Sequence, residues 1–213
     1  MSGDVHVRFC ESLRVRFLRA THLLACFQYR EDAERFLKEM TARLAQFHLE
    51  IEASKTKLLE FGRFAEENAR RRGQKPETFD FLGFTHYCGH TKKGRFKVKR
   101  KTSAKKYRQK LKEVKEWLQQ ERSRMQKGEL LQRAKLKLVG HLNYYGITDN
   151  WQMCSTFRTK FTQLVYKWLN RQSQKRSYDW ARFNDALAWV RWPSEKIIKQ
   201  LDPCRRVSTL KGG

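Results

Sequence analysis

The sequence predicts an α+β chain in which a small antiparallel sheet with one helix precedes an antiparallel helical bundle. The first observation is a change of period. Up to about residue 100 the apolar residues fall in short strand-like runs around one helical stripe, and beyond it they recur every three or four residues in successive segments. The second is a change of charge: residues 1–100 carry 21 basic and 13 acidic side chains, residues 101–213 carry 26 and 9. Two domains, 1–100 and 101–213, are expected.

Residues 23–29 form an apolar strand-like run, followed by a helix whose stripe is Ala33, Phe36, Leu37, Met40, Leu44 and Phe47. Segments 48–51 and 57–61 are short enough for strands flanking a turn at Ser54, Lys55 and Thr56, and charged residues 63–75 read as a loop or frayed helix ending at Gly73 and Pro76. Runs 79–88 and 96–101, joined by residues 89–94, have the content of a two-stranded hairpin. From Ser103 a helical stripe of Tyr107, Leu111, Val114, Leu118 and Met125 stops at Gly128. A second helix carries Leu131, Ala134, Leu138, Leu142 and Tyr145 up to Gly146. Asp149 or Asn150 can cap a third, with Phe157, Phe161, Leu164 and Trp168 on its stripe. A shorter fourth covers 179–190, before Pro193, and residues 204–213 read as a loose basic tail.

Composition narrows the function. With 213 residues and 39% hydrophobic side chains the chain can bury a core, while 47 Lys and Arg against 22 Asp and Glu, net +25, call for a polyanionic partner. Nothing approaches the roughly 18 consecutive apolar residues of a membrane span, and the first ten residues lack a secretory core, so a cytoplasmic protein is expected. Cys10, Cys26, Cys88, Cys154 and Cys204 are odd in number and scattered, which points to reduced thiols and to no disulfide or zinc framework. No Ser/His/Asp order, phosphate loop or His-Glu-x-x-His stands out, so no catalytic residue, metal site or cofactor is assigned.

The strongest physical signal is the ribbon 92–112, which holds twelve basic residues and no acid: Lys92, Lys93, Arg95, Lys97, Lys99, Arg100, Lys101, Lys105, Lys106, Arg108, Lys110 and Lys112. Solvated faces normally alternate sign, so phosphate binding is favoured. On a strand, Arg95, Lys97 and Lys99 share one face while Phe96 and Val98 take the other. Trp168 and Trp117 read as core; Trp192 and Tyr178 could offer exposed rings to unpaired bases. His86, Cys88 and His90 share strand parity, but alternate strand residues are about 7 Å apart, too far for one zinc ion. His141, on the inner side of its helix, reads as a hydrogen-bonded packing residue.

Several segments together resemble the C-terminal part of a bacterial group II intron reverse transcriptase/maturase. They are Ala25-Cys26-Phe27, Ser54-Lys55-Thr56, Phe61-Gly62-Arg63-Phe64-Ala65, Phe79-Asp80-Phe81-Leu82-Gly83-Phe84-Thr85-His86 and Gly140-His141-Leu142-Asn143-Tyr144-Tyr145-Gly146, and the likeness spans roughly residues 23–201. The resemblance implies that residues to about 100 end a polymerase palm, with Phe81, Leu82, Gly83 and Phe84 in a primer-grip-like hairpin. Residues from about 103 to 190 would be the helical thumb, the maturase-specific or X domain, which in the family binds intron RNA and assists splicing. Where the family carries an aromatic-Ala-Asp-Asp turn, whose carboxylates hold catalytic magnesium, this sequence reads Arg19-Ala20-Thr21-His22. A hydroxyl and an imidazole do not replace anionic oxygen ligands. The expected function is therefore RNA binding, with structured RNA, group II intron RNA by the resemblance, as partner and no bond chemistry. The unmatched residues 1–19 look like a replaced beginning. Two alternatives stand beside this: the C-terminal subunit of a split RNA-directed DNA polymerase, in which a separate chain supplies fingers, palm and the magnesium site, or a degenerate remnant without function.

Overall fold

The computed structural model describes residues 6–10, 13–14, 23–171 and 178–194. The chain divides into two compact units, Met1–Arg100 and Lys101–Gly213. Thr21, His22 and the tail 204–213 lie outside the described residues.

In the first unit, β1 (His6–Cys10) is the middle strand of a three-stranded antiparallel sheet, between β3 (Leu23–Phe27) and β5 (Thr56–Glu60). Val7 stands opposite Cys26 on one side and Leu59 on the other. No element is expected over residues 6–10 from the sequence, although Val7 and Phe9 alternate with His6, Arg8 and Cys10 in the period of a strand. A second pairing joins β2 (Leu13–Arg14) to β4 (Glu50–Ile51). Helix α1 (Arg30–Ala45) buries Ala33 on its expected stripe, but ends before Phe47, which is 65% exposed. Residues 63–75 are more ordered than a loop: α2 (Ala65–Arg71) buries Ala65 and Ala69 and is followed by Gly73 at φ +67°, a left-handed stop that suits glycine.

The run 79–88 is not one strand. It folds back as β6 (Phe79–Phe81) and β7 (Phe84–His90), and with β8 (Phe96–Thr102) makes a sheet of order β6-β7-β8. Phe81 pairs with Phe84, and the two residues between them, Leu82 and Gly83, have φ of 49° and 82°. Two left-handed residues in a two-residue loop are the type I′ turn whose twist matches a hairpin. Leu82 is not a turn-forming residue, which is why the run read as continuous. Leu59, Phe61 and Phe79 form the buried cluster of this unit, with Leu24, Phe81, Cys88 and Val98 half-buried against it.

The second unit is helical: α3 (Ala104–Glu121), α4 (Lys127–Tyr145), α5 (Trp151–Leu169) and α6 (Trp180–Trp189). Helix α5 packs against both α3 and α4. The core takes Val114 and Leu118 from α3, Leu138 and Leu142 from α4, Phe157, Phe161 and Trp168 from α5 and Phe183 from α6. Ser103 caps α3, its hydroxyl accepting from Lys106 N at 3.3 Å, and Asp179 caps α6 by accepting from Arg182 N at 2.8 Å. The first bundle stripe ends earlier than expected. Helix α3 stops at Glu121, Met125 lies in the connection, and Gly128 sits inside α4 with the Trp189 ring 3.6 Å from where its Cβ would be.

Asn150 takes the position before α5 without capping it. Its side chain instead accepts from Thr102 N at 2.7 Å and donates to Thr102 Oγ1 at 2.8 Å and Tyr145 O at 2.9 Å. A 1% exposed amide is thereby satisfied on both its ends.

Candidate nucleic-acid interface

The basic ribbon begins on a loop of the first unit. Thr91 N donates to Arg95 O at 2.8 Å, Gly94 N to Thr91 O at 3.0 Å and Arg95 N to Thr91 Oγ1 at 3.1 Å, so Thr91 closes the turn from both its backbone and its hydroxyl. Gly94 at φ +73° completes it, and Lys92, Lys93 and Arg95 stand exposed. Along β8, Val98 packs into the core while Lys97 and Lys99 take the other parity, as the period of two requires. The Lys99 stem lies across Gly89, where an added Cβ would come 2.9 Å from Lys99 Cδ. Arg100 has the parity of Val98, is half-buried, and its charge acts together with burial to push the His86 imidazole below its usual pKa, burial being the larger cause. Arg100 thus stands apart from Lys97 and Lys99, whereas Lys101 is exposed on their parity.

The other candidates of this unit have local partners. Thr56 Oγ1 donates to Glu52 O at 3.0 Å and Lys55 Nζ lies 3.8 Å from Glu52, which ties down the turn of the Ser54-Lys55-Thr56 segment. His86 stacks on Phe79 with ring centres 4.8 Å apart, Cys88 Sγ lies 3.5 Å from Gly62 O, and His90 Nδ1 lies 3.6 Å from Glu66. The three side chains therefore diverge.

In the helical unit the ribbon continues as exposed Lys105, Lys106, Arg108, Lys110 and Lys112 on α3. Acids just beyond the ribbon approach two of them: Lys110 Nζ is 3.0 Å from Glu113 and Lys112 Nζ 3.8 Å from Glu116. Both pairs are solvent-facing and contribute little to stability. Between α3 and α4 runs a groove of about 400 Å³, with Lys106, Gln109 and Lys110 on one side and Lys137, Gly140 and Tyr144 on the other. Tyr144 is 52% exposed, and no heavy atom lies within 4 Å of a Cβ built on Gly140, so that stretch of α4 is open. The Gly140-to-Gly146 segment and the helical end of the ribbon, far apart in sequence, meet here. Asn143 is exposed beside Tyr144, and Gly146 ends α4 by donating its N–H to Leu142 O at 2.7 Å.

His141 closes the groove from beneath. Its ring stacks on Phe157, centres 3.5 Å apart and 13° from parallel, and it is 6% exposed. Burial first and Lys110 second lower its pKa from 6.5 to about 3, which keeps it neutral. Its packing is through ring faces rather than the hydrogen bond that the sequence suggested.

The exposed rings are not those expected. Trp192 Nε1 donates to Thr162 Oγ1 at 3.0 Å and its ring lies 6.0 Å from Phe161; Tyr178 is held by Lys127 at 5.6 Å and Phe183 at 6.2 Å. Trp151, Trp180 and Trp189 are exposed instead. Trp168 is core as expected, with Arg122 and Arg171 over its ring, and Trp117 is half-buried with Lys137 4.8 Å from its ring centre. The signal that separates these cases is helix phase: Trp168 falls on the α5 stripe, while Trp151 opens that helix off it.

Among the described residues no helix is long and apolar enough to cross a membrane. No curated protein and no solved structure matches the chain. Residues 104–185, from the start of α3 into α6, match the family described as the group II intron, maturase-specific domain. Over these residues the helical unit is therefore similar to a group II intron maturase-specific domain, and through them the chain resembles the C-terminal part of a group II intron reverse transcriptase/maturase.

Proposed function

We propose that this maturase-type chain binds group II intron RNA and assists its splicing by holding the RNA fold, without bond chemistry of its own. The family match over residues 104–185 is the observation that carries the reading. The α3–α4 groove supports it: Lys106, Lys110 and Lys137 are suited to phosphates, and the Tyr144 ring beside them offers a face on which an unpaired base stacks. The Lys92, Lys93 and Arg95 loop adds sequence-independent phosphate contacts from the first unit.

The test is filter binding to a group II intron RNA combined with splicing of that RNA at limiting magnesium. Lys106→Glu with Lys110→Glu and Lys137→Glu is expected to weaken binding at least about tenfold and to abolish stimulation of splicing. Unchanged binding would remove the groove from the interface. Primer extension on a primed RNA template with magnesium is expected to be absent, both for the chain as it stands and for Thr21→Asp with His22→Asp. Magnesium-dependent extension by pure protein would overturn the non-catalytic reading.

A further inference from the structure

A second groove, of about 510 Å³, runs between α3 and α5. We propose that it docks an acidic amphipathic helix of a protein partner.

The groove belongs to a different side of α3 from the site above. Lys106 and Lys115 are nine residues apart, which at 3.6 residues per turn puts them about 180° apart around the helix. Leu111 and Leu164 form its floor, and Lys112, Lys115, Lys160 and Lys167 stand around it. No carboxylate lines it, and among the described residues Lys115, Lys160 and Lys167 make no ion pair. An apolar floor inside a cationic rim asks for an occupant that is apolar along its centre and anionic along its edges.

Three candidate surfaces meet part of that demand, and only one meets all of it. RNA would satisfy the lysines, but this floor has leucines where base stacking needs an aromatic ring or an arginine plane. A membrane surface needs apolar side chains standing proud of the cations, whereas Leu111 and Leu164 are half-buried at the floor. An amphipathic helix fits both features. Lys160 and Lys167 are seven residues apart on α5, about 10.5 Å along its axis, with Leu164 between them. Carboxylates two turns apart on a docked helix have that spacing, and an apolar side chain between them would rest on Leu164.

Fluorescence anisotropy on the full chain tests this with two labelled helical peptides of about 18 residues at about 0.15 M salt, identical in their glutamates and differing only in a stripe of Leu or of Ser. The Leu peptide is expected to bind at least about tenfold tighter than the Ser peptide. Lys115→Ala with Lys160→Ala and Lys167→Ala should weaken the Leu peptide about fivefold or more, while intron RNA binding changes less than about threefold. All three positions are exposed, so folding is not at risk. Equal affinity of the two peptides, indifference of the Leu peptide to the lysine changes, or an RNA loss as large as the peptide loss would each overturn the proposal. The last would reassign the groove to RNA.

Discussion

In the helical unit Leu118, Leu130, Leu138, Phe157, Phe161, Leu169 and Phe183 are all at 0–1% exposure in one cluster, whereas among the described residues the cluster of the sheet unit holds Leu59, Phe61 and Phe79, at 4–7%. The difference follows from geometry. A helix stripe delivers large side chains to one seam every three or four residues, and the seams of α3 and α4 both converge on α5. A short strand delivers one side chain in two to each face, and strands of two to seven residues deliver few. Burial stabilises roughly in proportion to apolar area, so among the described residues the helical unit has the larger reserve of the two. Charge is divided the same way, with net +8 in residues 1–100 and +17 in residues 101–213.

That asymmetry is most strongly tested by salt. If about six to ten phosphates are neutralised, the logarithm of RNA affinity should fall with the logarithm of salt at a slope of roughly 4 to 7. A flat response in filter binding would dispose of phosphate-dominated binding altogether. Comparing Lys92→Ala, Lys93→Ala and Arg95→Ala in one variant with Lys106→Ala, Lys110→Ala and Lys137→Ala in another sharpens the division, since each lost contact should lower the slope by about 0.7. The helical set is expected to reduce affinity more.

Core truncations come next. Leu138→Ala, at a fully buried seam position, is expected to cost about 2 to 5 kcal/mol in a urea melt, while Val98→Ala, at a half-buried strand position, should cost about 1 kcal/mol or less. Equal losses would show that the sheet unit is as tightly packed as the bundle.

The bundle should also feel acid through His141. Its unfolded imidazole binds a proton below about pH 6.5 and the folded one only below about 3, so between those values the unfolded state holds the extra proton. Stability is therefore complete above about pH 6.5 and falls as pH drops toward 3, by about 2 kcal/mol at pH 5. His141→Gln should flatten this difference between melts at pH 5 and pH 7.5. An unchanged slope would place the acid sensitivity elsewhere.

An effect as small as that of Val98→Ala, but of the opposite sign, is expected at the Leu82–Gly83 turn of the sheet unit. Leu82 occupies a left-handed position at φ 49° with its side chain 62% exposed, so Leu82→Asn, giving Asn before Gly83, should stabilise the hairpin by about 1 kcal/mol. A loss of stability would mean that the exposed Leu82 side chain holds something in place.

Much of this fold was legible because long helices repeat one signal many times. The stripes Leu131 to Tyr145 and Phe157 to Trp168 each offer several coincident positions, and Asp179 announces a cap next to Trp180. The misreadings fall where a single residue decides. Gly128 looked like a stop yet lies within α4, and the turn at Leu82 and Gly83 has no polar turn residue to mark it. Residues 6–10 give no clear strand signal by themselves, because five alternating residues carry little weight without β3 and β5 on either side.

Composition, period and short segments determined by themselves that the chain is basic, α+β and helical in its second part, and which residues could meet phosphate, since charge and repeat are local properties. Which of them stand together was decided by tertiary structure. Lys106, Lys137 and Tyr144 share a groove only because α3 and α4 lie alongside each other, and Lys115 and Lys160 share another because α5 packs on α3. Likewise Asn150 leaves its cap role for Thr102, 48 positions away, because burying its amide requires that every donor and acceptor find a partner. Contacts of that separation depend on the crossing of helices and the path of the chain, and no local pattern encodes them.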